Sequence, residues 1–142
     1  MENIDLIKQA VKARNNSYSP YSDFAVGAAV YCDENMVHLG CNVENAAYPA
    51  TICAERNAIV NMVAQGMQRI IKIAIVGGFV SSFSKNDNIV SPCGLCRQVI
   101  REFCEPEKCQ IIMASLGDLN NIIVKTLAEL LPLSFGSDNL AK

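Results

Sequence analysis

Runs of lysine or arginine are absent from this chain, and its formal net charge is −2. Proteins that track polynucleotides carry a basic patch or stripe, so nucleic acid is not an expected partner and a small soluble substrate is. No apolar stretch reaches the roughly 20 residues that a membrane-spanning helix needs, so no membrane partner is expected. The opening residues, Met1-Glu2-Asn3-Ile4-Asp5, form neither a basic nor an apolar leader. The cysteines number seven, an odd count. Both points argue against a secreted disulfide scaffold and for a cytoplasmic setting, where thiols stay reduced. The single histidine, His38, falls in a predicted hairpin strand and is expected at the surface. Repeats, linkers and low-complexity segments are also missing, which implies one domain over residues 1–142. The chain is 51% hydrophobic and 18% charged, enough for a real core. The apolar surplus suits a surface partly buried against sister subunits.

Residues 2–15 read as an amphipathic helix, with Ile4, Ile7, Val11 and Arg14 on one face and Leu6 and Ala10 beside them. Turn formers over 15–22 end it. Strands over 26–32 and 36–41 flank a hairpin turn at Asp33-Glu34-Asn35. Residues 42–51 form a polar loop. A helical pattern over 51–64 stops at Gly66. Residues 70–76, ending at Gly77-Gly78, suit a short buried strand. A polar loop over 80–91 leads through Pro92 into a helix over 93–103. Further strands are predicted over 110–114 and 122–124, and a short helix over 126–131. Helices alternating with buried strands indicate an α/β sandwich, a central sheet with helices on both faces. The opening hairpin implies one antiparallel pair in an otherwise parallel sheet.

Two short blocks carry the chemistry: Cys53-Ala54-Glu55 and Pro92-Cys93-Gly94-Leu95-Cys96. Cys53 and Cys93 are each expected at a helix N-terminus, where free N–H groups and the dipole favour a thiolate. Cys93 and Cys96 are three apart, on one helical face, and can bind one metal. Three thiolates fill three corners of a tetrahedral zinc and leave the fourth to water, the layout of a catalytic site. Glu55 is then placed to move protons to and from that water, because zinc lowers the pKa of its bound water toward about 7. Plainer readings exist for each residue taken alone. A cysteine can be core packing, a C-x-x-C pair can be a redox dithiol, and Glu55 can be a first-turn acid favoured by the dipole. None of these explains all four residues together. Three thiolates on one zinc carry a formal charge of −1, so a nearby cation is expected. Arg56 and Arg97, each directly following a block, are the candidates, with surface ion pairs as the alternative for either.

C-x-E followed by P-C-x-x-C is the pattern of zinc-dependent nucleobase deaminases, here with Cys at the first ligand position. The whole chain resembles the cytidine deaminase family, in particular its small homotetrameric type. The resemblance rests on Ser19-Pro20-Tyr21-Ser22-Asp23-Phe24-Ala25-Val26-Gly27-Ala28-Ala29, on Asn42-Val43-Glu44-Asn45-Ala46-Ala47-Tyr48, and on the zinc segments 53–56 and 91–98. A C-terminal motif over 129–136 completes it. It implies a three-layer α/β/α sandwich around a five-stranded mixed sheet, and one zinc per subunit held by Cys53, Cys93 and Cys96. It further implies Glu55 as the acid/base, Phe24 against the pyrimidine, and Asn42 and Glu44 on the ribose 3′-hydroxyl. Ala54 would contact substrate. Phe135 would reach into a neighbouring subunit's site, and Tyr48 would lie near a subunit boundary. Plainer roles stay open here too: core for Phe24, a turn cap for Asn42, a tail anchor for Phe135. Pro49-Ala50-Thr51-Ile52 departs from the family's usual run before the first zinc segment.

The expected reaction is hydrolytic deamination of cytidine or deoxycytidine to uridine or deoxyuridine and ammonia, in pyrimidine salvage, with the Ser91 carbonyl steering the departing amino group. The alternatives are a related zinc deaminase acting on another cytosine compound such as blasticidin S, a polynucleotide deaminase, and a zinc-stabilised binding module. Asn42-x-Glu44 favours a ribose-bearing substrate. The missing basic patch disfavours a polynucleotide. The binding module needs a fourth protein ligand, and none is evident: His38 lies in the wrong element, and Cys104 and Cys109 are poorly placed.

Overall fold

The computed structural model describes residues 1–82 and 88–141. The segment read as a loop over 80–91 therefore lies partly outside the described residues. Four helices and five strands follow in the order α1 (Asn3–Arg14), β1 (Phe24–Cys32), β2 (Met36–Cys41), α2 (Ala54–Ala64), β3 (Ile70–Phe79), α3 (Gly94–Glu102), β4 (Gln110–Ala114), β5 (Ile122–Thr126) and α4 (Leu127–Leu130). The strands form one sheet in the order β2-β1-β3-β4-β5. No helix among the described residues is long and apolar enough to cross a membrane.

The sheet is mixed, but not in the proportion the hairpin suggested. Only β3 and β4 pair in parallel; β1 is antiparallel to both β2 and β3, and β5 is antiparallel to β4. The helical crossovers still join strands that point the same way, β2 to β3 through α2 and β3 to β4 through α3. The difference is that β1 sits between β2 and β3 and runs against both.

Among the described residues, helix α1 is the one helix that covers one face. Leu6, Ile7 and Ala10 pack there on Ala29, Ala74, Val76, Ile112 and Ala114. The small residues let the helix come close: a Cβ on Gly27 would stand 2.0 Å from the Ala10 carbonyl oxygen. The buried stripe of α1 is Leu6, Ile7, Ala10 and Ala13, rotated from the predicted face. Arg14 is not part of it; its guanidinium donates to the carbonyls of Ala25 (2.9 Å) and Gly78 (2.8 Å), stitching the helix end to β1 and β3. On the other face α2 and α3 bury Ala58, Ile59, Met62 and Ile100 against Ala28, Val30, Ile73, Ile75 and Ile111.

His38 is buried, 5% exposed, which corrects its expected surface position. It pairs with Val30 across β1 and β2, so it shares the face that α2 covers. Strand β3 also outruns its prediction and continues through Gly77 to Phe79. Gly77 pairs with Val26 in the sheet, and its lack of a side chain suits a tight place: a Cβ there would meet side-chain atoms of Val90, Val26 and Phe24 at 3.0–3.2 Å.

Candidate active site

The site opens where β1 begins and where α2 and α3 start. Cys53 is the N-cap of α2 and Cys93 that of α3, both with extended backbone. Neither thiol caps its own helix, so both remain free to face a common point. Cys96 follows one turn into α3 and is fully buried. The Cys53 and Cys93 sulfurs are 3.8 Å apart, and all three sulfurs lie within 4.8 Å of one another. Tetrahedral zinc with Zn–S bonds of about 2.3 Å sets its sulfurs about 3.8 Å apart. The donor set and its spacing thus suit zinc.

The electrostatics favour a thiolate. The Cys53 thiol is drawn down to about 5, first by a hydrogen bond from Cys96, with further help from Arg56 and Cys93. The Cys96 thiol is pushed up by that same pairing and by burial. One proton therefore leaves readily and the next is held. Arg56 donates from Nη2 to the Cys53 sulfur at 3.8 Å, which brings its positive charge beside that thiol. Arg97 behaves otherwise. Its Nε donates to Pro92 O (2.8 Å), its Nη1 to Leu130 O (2.6 Å) and its Nη2 to Ser91 Oγ (2.9 Å). These contacts give it carbonyls and a hydroxyl in place of the expected thiolates.

Glu55 occupies the first turn of α2 and is 4% exposed. Burial holds its carboxyl above the usual range; its own backbone N–H pulls the other way, and the nearby Cys53 adds to the rise. A carboxyl raised in this way holds its proton more tightly than an ordinary one, the direction that acid/base catalysis uses.

A cavity of 320 Å³ connects these groups, at the small end of the about 300–1,000 Å³ typical of ligand pockets. Phe24, Asn42, Glu44, Ala54 and Ser91 all line it, together with Cys53, Glu55 and Cys93. Phe24 is held edge-on by Phe79, with ring centroids 5.2 Å apart. Glu44 accepts from the backbone N–H groups of Tyr21 and Ser22 at 3.0 Å each, and from the Ser22 hydroxyl. The Ser22 hydroxyl leads the causes that hold this carboxyl below its ordinary range, so it stays an ionised acceptor at the cavity mouth. Asn42 is only 8% exposed. Its Nδ2 donates to Phe24 O (2.8 Å), and its Oδ1 accepts from Val26 N (2.9 Å) and from the Ser17 hydroxyl. Most of its capacity is thus spent inside the protein.

Four of the predicted site residues, Cys96, Arg56, Tyr48 and Phe135, do not line this cavity. Tyr48 is 72% exposed and meets Tyr21 edge-on at 5.9 Å. Phe135 is 57% exposed on the C-terminal segment, where its carbonyl accepts from Gln98 Nε2. The walls also include Ser22, Val26, Thr51, Ile52 and Val90, which sequence reasoning missed. Val26 and Val90 look like ordinary strand and loop residues. Ser22 carried a signal, since it directly precedes the Asp23-Phe24 step of a quoted motif. The unusual run 49–52 leaves the entry to α2 intact: Tyr48–Ala50 forms a 3₁₀ turn, and Val43 and Ile52 exchange two backbone hydrogen bonds at 3.0 Å.

Residues 1–113 match the family model for the cytidine and deoxycytidylate deaminase zinc-binding region. The chain is 39% identical over 136 residues to a cytidine deaminase of Sporosarcina psychrophila, covering 96% of this chain and 93% of that one. It is 37% identical over 133 residues to one from Mycobacterium tuberculosis, covering 94% and 89%. Among solved structures, the cytidine deaminase of Burkholderia pseudomallei superposes with a TM-score of 0.83 at 36% identity, covering 95% of this chain and all of that one.

Proposed function

The chain belongs to the cytidine and deoxycytidylate deaminase family, and on that premise we propose that it hydrolyses cytidine or deoxycytidine to uridine or deoxyuridine and ammonia. The observation that carries this reading is the placement of buried Glu55 in one small cavity with the sulfurs of Cys53 and Cys93 and the ring of Phe24. Cys53, Cys93 and Cys96 would hold one zinc per subunit. When bound, zinc lowers the pKa of a water toward about 7 and so supplies a nucleophile at neutral pH.

The protein's own groups do the rest. Glu55 takes a proton from the attacking water and passes it to ring N3 of the cytosine, which makes C4 electrophilic. It then carries the second proton to the departing amino nitrogen, and ammonia leaves. The raised carboxyl of Glu55 supports both transfers. The Ser91 carbonyl accepts from the departing amino group. The Phe24 ring packs on the pyrimidine, and Ala54 presents backbone to its polar edge. Glu44, kept ionised by Ser22, accepts from the ribose 3′-hydroxyl, and Asn42 offers its remaining N–H to the same hydroxyl. Arg56 draws charge from the thiolates.

The reading extends to a single catalytic unit over 1–142, a cytoplasmic homotetramer and a role in pyrimidine salvage. Phe135 and Tyr48 of neighbouring copies would complete each site; their exposure here supports that. The matched relatives are cytidine deaminases, so a blasticidin S-type substrate is not favoured. The test is an ultraviolet assay of zinc-loaded protein with cytidine. Conversion to uridine with release of one ammonia is expected; no conversion by protein carrying bound zinc would refute the reading.

A further inference from the structure

Arg97 stands directly after a zinc-ligand cysteine, yet the hydrogen bonds described above take its guanidinium to neutral oxygens. The three acceptors lie on two separate segments. Pro92 O and Ser91 Oγ belong to the stretch entering α3, while Leu130 O closes α4. A planar guanidinium presents its donors in a rigid fork, and an ammonium on a flexible stem cannot match three such directions at once.

The two contacts on the entering stretch bracket one group. Ser91 Oγ lies on one side of the Ser91 carbonyl and Pro92 O on the other. The Pro92 ring already fixes its own φ, and Pro92 is buried. With both flanks held, the remaining rotations of the 91–92 segment are removed. The Ser91 carbonyl, which the deaminase reading sets against the leaving amino group, and the Cys93 N-cap one residue on are then held in one orientation. The third contact ties this to the C-terminal segment. Gln98 and Arg101, from the same helix, reinforce it: Gln98 Nε2 donates to Phe135 O at 3.0 Å and Arg101 Nε to Ser134 Oγ at 2.9 Å.

We propose that Arg97 is a positioning residue, a fork that locks the Ser91–Pro92 segment against α4 and so sets both the Ser91 carbonyl and Cys93 for the reaction. This rests on the deaminase reading above. It acts through geometry and not through its charge, which Arg56 already supplies at the thiolates. Partners behind a metal ligand are typically worth about 10–100-fold in metal affinity or activity.

The discriminating variant is Arg97→Lys, which keeps the charge and loses the fork. Turnover per bound zinc is measured well below the melting temperature, and zinc affinity is measured separately by competition with a chromophoric chelator. The expected result is a fall in kcat of about tenfold or more with a smaller change in KM, and zinc affinity weakened by about tenfold. Ser91→Ala, a milder change that keeps the carbonyl, should lower kcat less. It should also shrink the effect of Arg97→Lys in the double variant, because the two share one contact. Arg97→Lys with kcat per zinc and zinc affinity both within twofold of wild type overturns the proposal. So does a lowered melting temperature with unchanged kcat per zinc and unchanged zinc affinity, the outcome for a merely structural residue. If wild-type protein binds zinc but does not convert cytidine, the deaminase reading fails, and the zinc-affinity comparison still decides whether Arg97 sets Cys93.

Discussion

Truncating Asn42 to alanine removes the link between the start of β1 and the loop that follows β2. In the native fold its amide donates to Phe24 O at 2.8 Å and accepts from Val26 N at 2.9 Å, at a site 8% exposed. Asn42→Ala leaves Val26 N without its side-chain acceptor and the Phe24 carbonyl with only a long bond from the Ser22 hydroxyl at 3.4 Å, and it also removes the side-chain acceptor of the Ser17 hydroxyl. A buried polar group left unpaired costs about 1–3 kcal/mol, and partial access of water at the cavity edge puts the pair in the lower half of that scale, about 2–4 kcal/mol together. For a chain of this length 1 kcal/mol moves the melting temperature by about 3 °C, so a fall of about 6–12 °C is expected. Asn42→Asp separates the two bonds. Its carboxyl still accepts from Val26, but it turns an acceptor toward the Phe24 carbonyl unless it holds a proton. The folded state therefore raises the pKa of the new carboxyl. Its deficit against wild type should be small at acidic pH and should grow as pH rises through that raised value. Thermal unfolding followed by circular dichroism from pH 4.5 to 8 measures both. A shift under 2 °C for Asn42→Ala, or an Asn42→Asp deficit that does not vary with pH, would refute the reasoning.

Other consequences are equally direct. Gly27→Ala places a methyl 2.0 Å from the Ala10 carbonyl oxygen and 2.6 Å from Arg14 N, both backbone atoms. It should cost about 3 kcal/mol or more, read as a lower urea midpoint or as insoluble protein. Arg56→Gln removes one of the groups that draw the Cys53 thiol down to about 5. Protons then compete better for that sulfur, so on acidification zinc should leave the variant at a higher pH than wild type, as a chelator-coupled pH titration would record. Ser22→Ala takes away the hydroxyl that leads the depression of the Glu44 carboxyl. KM for cytidine should rise several-fold with kcat little changed, in steady-state kinetics.

The sequence made the chemistry legible sooner than the packing. Cys53, Glu55, Cys93 and Cys96 stand in a spacing with few other uses, and the fold brings the three sulfurs together. Phe24, Asn42 and Glu44 were found through motif context, and all three line the cavity. The second bond pattern of Asn42 was not legible, because an amide that serves a turn and one that serves a ligand are spelled alike. Arg97 was read as a partner for thiolates because adjacency along the chain was taken for adjacency in space. One step along a helix turns a side chain by about 100°, and Arg97 points back along the strand of chain entering α3. Gly77-Gly78 was read as the end of a strand, yet it lies inside β3, where a Cβ at Gly77 would press on the Val26, Phe24 and Val90 side chains. His38 was placed at the surface from its polarity, whereas its pairing with Val30 turns it toward α2. Each miss involves at least one long-range neighbour, Leu130 in the case of Arg97, which local pattern does not encode.

The central claim is that Glu55 moves the protons of a hydrolytic deamination. The most direct measurement is kcat for cytidine of Glu55→Gln against wild type, with zinc content determined on the same samples. The account predicts equal zinc, an unchanged fold and a fall in kcat of at least about 10²–10⁴-fold, the range of general acid–base catalysis. Glu55→Gln protein that carries zinc and turns over cytidine at the wild-type rate would contradict it.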